Sequence, residues 1–112
     1  MTDTLENDLF NEIVATFRKL VYFPDEWTYH HQGGLTGYLG RETKATPGNA
    51  TSILPHQVYA WNPSIAGTKS EDTVLIGEQQ NDILTATGDW PTTPYPAGDD
   101  RWPRCDILQL VR

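Results

Sequence analysis

Leu5, Leu9, Phe10, Ile13, Val14, Phe17, Leu20 and Val21 recur at three- and four-residue intervals, which places them on one stripe of a 3.6-period helix. The spacing predicts an amphipathic helix from about Thr4 to Tyr22. Asp3 is the expected N-cap, because Glu6 follows three residues later and can reach back in a capping box. Asp8 lies near the positive end of the helix dipole, and Arg18 and Lys19 lie near its negative end. Pro24 forbids continuation, so the helix should stop by Tyr22 or Phe23. The apolar stripe needs a partner surface, either the rest of this chain or another subunit.

Beyond Pro24 the pattern changes to short β-branched and aromatic runs broken by Gly, Pro, Asn and Asp. Glu26 to Gln32 reads as a strand with Gly33-Gly34 as its turn. Leu35 to Glu42 reads as a second strand, bent at Gly37 or Gly40. Residues 43–52 hold Pro47, Gly48 and Asn49 and read as a loop. His56 to Trp61 reads as a third strand, and Ile65 to Asp72 as polar and turn-rich. Thr73 to Glu78 and Ile83 to Thr87 read as two further short strands. Residues 88–103 carry four prolines and read as a long, locally stiff loop, leading into a last strand from Arg104 to Val111. Helix first, then about six strands without βαβ alternation, predicts a single α+β domain over residues 1–112. Its N-terminal helix would pack on a small antiparallel β-barrel or sandwich formed by a β-rich body, 26–112.

Composition narrows the class of function. At 112 residues with 38% hydrophobic content, four Trp, five Tyr and three Phe, the chain can bury about two-thirds of its unfolded surface without metals or disulfides. A formal charge of −7 and a pI near 4.7 argue against sequence-specific nucleic-acid binding and against adsorption to an anionic membrane. The single Cys105 cannot form an internal disulfide, which fits a reducing compartment. The acidic start MTDTLENDLF lacks the basic segment and apolar run of a secretory signal, and no stretch reaches the length of a membrane span. Asn49-Ala50-Thr51 matches a glycosylation sequon, which has no meaning without secretion.

No catalytic signature stands out. His30 and His31 are adjacent, so on a strand they would face opposite sides and could not share a metal ion. Spaced ligand pairs such as C-x-x-C are absent. Cys105 has Asp106 beside it, which would raise rather than lower a thiol pKa. Ser52, Ser64 and Ser70 lie outside any nucleophile elbow. The glycines from Gly33 to Gly40 match no dinucleotide fingerprint, and Asp25-Glu26 and Asp99-Asp100 lack calcium-loop spacing. The expectation is no cofactor, no metal and no catalytic residue. The aromatic–proline pairs Trp90-Pro91, Tyr95-Pro96 and Trp102-Pro103 point instead to a stiff contact surface, which costs little entropy to order against a partner. Pro47 and Asn49, in the other loop, are the second candidate contact.

The helix Leu5–Val21, the strand-rich middle and the ending DWPTTPYPAGDDRWPRCDILQLVR, Asp89–Arg112, resemble the plan of small tailed-phage proteins of the head–tail junction. These are the stopper, completion and tail-terminator proteins. The resemblance covers layout and length and carries over no functional residue. It implies a homo-oligomeric ring that contacts portal, adaptor or tail subunits in the virion, after synthesis in the host cytoplasm. Six copies at −7 each would carry 6 × −7 = −42 formal charges, and a channel lined by part of that charge would let DNA slide through without gripping it. Two other classes compete with this expectation. One is a soluble carbohydrate- or protein-binding module using Trp90, Tyr95 and Trp102 as a platform. The other is a small enzyme in which two of His30, His56 and Cys105 converge in a cleft.

Overall fold

The computed structural model describes residues 4–20, 22–97 and 100–110. Helix α1 spans Glu6–Arg18, shorter at both ends than the spacing predicts. It packs within the chain. Phe10, Val14 and Phe17 are buried, and Phe10 and Val14 form a core cluster with Ala45, Trp27 and Trp61. Phe10 meets the Trp27 ring edge-on, with centroids 5.8 Å apart. At the far end Lys19 and Leu20 donate to the carbonyls of Thr16 and Phe17. The ring of Pro24 acts on the carbonyl four residues back, which explains why the helix ends before Tyr22.

The start of α1 differs from the expected cap. Asp3 lies outside the described residues, and the N-cap is Leu5. The Asp8 carboxylate accepts from the Leu5 backbone N–H at 2.9 Å, the reciprocal half of a capping box displaced by two residues. Loop 43–52 supplies the rest: the carbonyls of Thr51 and Asn49 accept from the N–H groups of Glu6 and Asn7 at 2.8 and 2.9 Å. Glu6 does not cap. It is fully buried, and the Thr43 hydroxyl donates to its carboxylate at 2.7 Å.

Glu26–Tyr29, expected in a strand, is a 3-10 helix. Its turn is held by the Thr28 N–H and hydroxyl, both donating to the Asp25 carbonyl. Four strands follow in one antiparallel sheet: β1 (Gly33–Thr36), β2 (Val58–Trp61), β5 (Asp72–Leu75) and β6 (Asp82–Ile83), ordered β1-β2-β5-β6. Gly33 and Gly34 are strand residues, not a turn. A Cβ on Gly33, whose φ is +139°, would lie 2.2 Å from the Ala60 carbonyl oxygen, and one on Gly34 would lie 1.9 Å from that of Thr43. The Glu42 and Ala45 N–H groups donate to the carbonyls of Leu35 and Gly33, so the 42–45 backbone lies against β1 where only glycine leaves room. Tyr59 and Trp61 on β2 stack, with centroids 5.7 Å apart.

Two hairpins complete the described chain. β3 (Ser64–Ile65) and β4 (Thr68–Lys69) form a small one inside the segment expected to be turn-rich. β7 (Thr92–Ala97) and β8 (Asp100–Cys105) form a longer one where a proline loop was expected. Residues 106–110, expected in a last strand, have no regular structure. The architecture is therefore α+β with eight strands in three antiparallel sheets among the described residues, none of them closed into a barrel.

The prolines explain the long hairpin rather than forbid it. The Asp106 N–H donates to the Pro91 carbonyl at 2.9 Å, so the pairs Thr93↔Arg104 and Tyr95↔Trp102 fall on the same hydrogen-bonded alternation. Pro94↔Pro103 and Pro96↔Arg101 then fall on the intervening pairs, where the backbone points away from the partner strand. Within β7 and β8 no ladder N–H is lost, and both outer edges are blocked against further strand pairing.

Candidate functional site

The C-terminal hairpin reaches the body through one polar cluster. Asp72 at the start of β5 is buried, and Arg104 on β8 donates to its carboxylate from Nε at 2.6 Å. The Thr85 hydroxyl donates to the other carboxylate oxygen at 2.7 Å, and Arg104 Nη2 donates to Ser70 Oγ at 2.7 Å. Arg104 and Asp72 are 32 residues apart, and no motif or periodicity links them in the sequence.

An open groove lies on each side of this anchor. The first, about 740 Å³, is bounded by the end of α1, the β3–β4 hairpin and the C-terminal hairpin; Phe17, Leu20, Ile65, Trp90, Tyr95 and Ile107 form its apolar wall. The second, about 680 Å³, runs over the sheet face past Leu9, Ile53, Val74 and Ile83 to Trp102. Leu20, Trp90, Tyr95 and Ile107 are between 41% and 72% exposed. These side chains leave apolar surface uncovered around one concavity.

The aromatic candidates divide between the two grooves. Trp90 and Tyr95 share the first, with Pro91 beside them on the hairpin, and the Trp90 indole N–H donates to the Asp106 carbonyl at 2.9 Å. Trp102 borders the second, and the register sets it directly opposite Tyr95 on the same face of the hairpin. Pro47 and Asn49 lie at the opposite end of α1. Pro47 is exposed, whereas Asn49 is occupied within its own loop: its side chain donates to the Lys44 carbonyl at 2.8 Å and accepts from the Thr51 N–H at 2.9 Å. Loop 43–52 is thus occupied in capping α1. Leu20, read in the sequence as part of the helix stripe, and Ile65, which the sequence did not single out, complete the wall.

The titratable candidates are scattered. His56 is exposed, 3.5 Å from Glu78. His31 is exposed, and its pKa is lowered by partial desolvation and by the charges of Lys44 and Arg41. Cys105 is exposed at the rim of the first groove. His30 does meet a hydroxyl the sequence did not pair with it: its Nε2 lies 2.7 Å from Ser64 Oγ. Gln32, fully buried, faces His30 Nδ1 with its amide nitrogen at 3.4 Å, and that nitrogen also donates to the carbonyls of Trp27 and His30. The His30–Ser64 contact ties the end of the 3-10 segment to β3. Among the described residues no group of three His, Cys, Asp or Glu side chains could hold a metal ion, and no helix is long and apolar enough to cross a membrane.

Comparison with protein-family models, with curated proteins and with solved structures returned no match.

Proposed function

We propose that this chain is a non-enzymatic assembly protein, a ring-forming component of the tailed-phage head–tail junction of the stopper, completion or tail-terminator kind. The observation that carries the reading is surface area. The chain exposes 8212 Å², whereas a compact monomer of 12.6 kDa exposes about 6,200 Å². The difference of about 2,000 Å² exceeds two standard interface patches of about 800 Å² each, so the chain carries surface enough for two neighbours, as a ring requires. The apolar side chains around the hairpin supply the chemistry for such contacts. In this reading the hairpin is the start of a second layer over the sheet, and a neighbour completes the sandwich.

The partners are further copies of the chain and portal, adaptor or tail subunits in the virion. The net charge of −7 suits a passive DNA channel, since repulsion of phosphate prevents sticking. Native mass spectrometry of the purified chain, together with imaging of labelled particles, tests the proposal. The expected result is a closed ring and density at the junction. A chain that stays monomeric at high concentration and joins no particle overturns it.

A further inference from the structure

We infer that the C-terminal hairpin is a rigid strap, latched shut by Arg104 and hinged at residues 86–89, whose opening joins the two grooves into one cleft. The inference goes beyond the assembly reading and holds whether or not the chain forms a ring.

The attachment of the hairpin is the first observation. Among the described residues, every hydrogen bond between positions 87–110 and the rest of the chain comes from Arg104. Its Nε donates to Asp72 at 2.6 Å and its Nη2 to Ser70 at 2.7 Å. The other bonds of this region stay inside it. Residues 92–97 pair along their whole length with residues 100–105. At the root, the Asp106 carboxylate accepts from the Thr93 hydroxyl at 2.6 Å, and the Asp106 carbonyl accepts from the Trp90 indole at 2.9 Å. The hairpin therefore keeps its own bonds when Arg104 lets go.

The grooves are the second observation. Arg104 lines both of them, so it stands in the wall between them with open space on either side. The register puts Tyr95 and Trp102 on the hairpin face that carries Arg104. Tyr95 borders the first groove and Trp102 the second. Turning the strap away removes this partition, and Phe17 and Ile65 then open onto the same cleft as Val74 and Ile83.

The connection to the sheet is the third. Residues 84–90 are all exposed. The last tie of this stretch to the sheet is Thr85, whose hydroxyl donates to the Asp72 carboxylate at 2.7 Å. Beyond it the bonds are local: the Ala86 N–H donates to Ile83 and the Thr87 hydroxyl to Asp89. Gly88 takes a φ of +84°, which glycine adopts without steric cost. Asp72 thus holds the fixed end of the hinge through Thr85 and the moving end through Arg104.

Double electron–electron resonance on the full chain tests the strap, with one nitroxide on the native Cys105 and a second on Glu12→Cys, both exposed. The variant is Arg104→Met, which keeps an apolar stem and removes the guanidinium while Thr85 still holds Asp72. The unaltered latch should give one main distance. Arg104→Met should add a longer one, with the open population raised about tenfold, the equilibrium effect of losing a charge-assisted hydrogen bond. Hydrogen exchange is the second readout: the amides of Thr93, Tyr95 and Trp102, and those of β1, β2 and β5, should stay as protected as before. An unchanged distance overturns the latch. Exchange that rises across β7 and β8 means that the hairpin melts instead of swinging. Exchange that rises across the sheet means that Arg104 holds the core. Either result overturns the strap.

Discussion

The helix–sheet body and the C-terminal hairpin are held in place by different kinds of contact. In the body, the first N–H groups of α1 find carbonyls of loop 43–52, and Glu6 finds Thr43. Gln32 donates back to the carbonyl of Trp27 in the 3-10 segment, and the aromatic rings of Phe10, Trp27 and Trp61 pack inward. In the hairpin region the prolines close the edges, one ion pair reaches the body, and Trp90, Tyr95 and Ile107 stay uncovered. The body is thus held by contacts between segments distant in sequence, with Trp27 Nε1, Gln32 Oε1 and Asn62 Oδ1 left buried without a partner, whereas the hairpin is held to it by one anchor.

Four perturbations would break or sharpen that contrast. Phe10→Ala strikes the scaffold and should cost about 3–5 kcal/mol, measured by denaturant unfolding, because so few residues form the core. Asp72→Ala strikes the joint. It leaves Arg104 without its carboxylate, and since Arg104 is partly exposed the cost should be about 2–3 kcal/mol, at the lower end for a broken buried pair. Limited proteolysis between Leu84 and Pro91 should accelerate more than the loss of global stability explains. If cleavage instead tracks global unfolding, the hairpin is an integral part of the body.

The third perturbation is alkaline pH. Burial, with the Glu6 charge nearby, pushes the Tyr59 hydroxyl up to about 12. Between pH 10 and 12 the unfolded chain releases this proton and the folded chain holds it. Stability is therefore full below pH 10 and falls as pH rises through 12, by roughly 3 kcal/mol. Tyr59→Phe should flatten the fall at little cost, since the hydroxyl makes only a 3.4 Å contact with Gln57. The smallest effect is expected from Leu110→Asp, which should move stability by no more than about 0.5 kcal/mol while changing self-association. A large loss of stability would mean that this side chain packs within its own chain.

How much could be read from the sequence depends on the range of each interaction. The α1 stripe was legible because its 3.6 period is written within a few residues. The cap was not, since Thr51 and Asn49 reach α1 from more than forty positions away. Gly33-Gly34 carries the composition of a turn, yet its bareness serves the close approach of the Thr43 and Ala60 carbonyls. The proline-rich 88–103 read as a loop because proline removes a donor. Only pairing register shows that Pro94, Pro96 and Pro103 stand where no donor is needed. In the candidate site Trp90, Pro91 and Tyr95 stood out as an aromatic–proline run and Leu20 as part of the helix stripe, while Ile65 and the Asp72–Arg104 anchor did not stand out.

By itself the sequence determined the helix, the antiparallel and strand-rich character of the chain beyond Pro24, the acidity and the stiffness of the C-terminal segment. These are properties of neighbours along the chain, decided by backbone sterics and side-chain period. The tertiary structure alone decided where the hairpin is anchored, which aromatic residues share a groove and which apolar residues stay uncovered. Those outcomes depend on groups distant in sequence meeting in space, with burial and hydrogen bonding selecting among arrangements that local preferences leave equal.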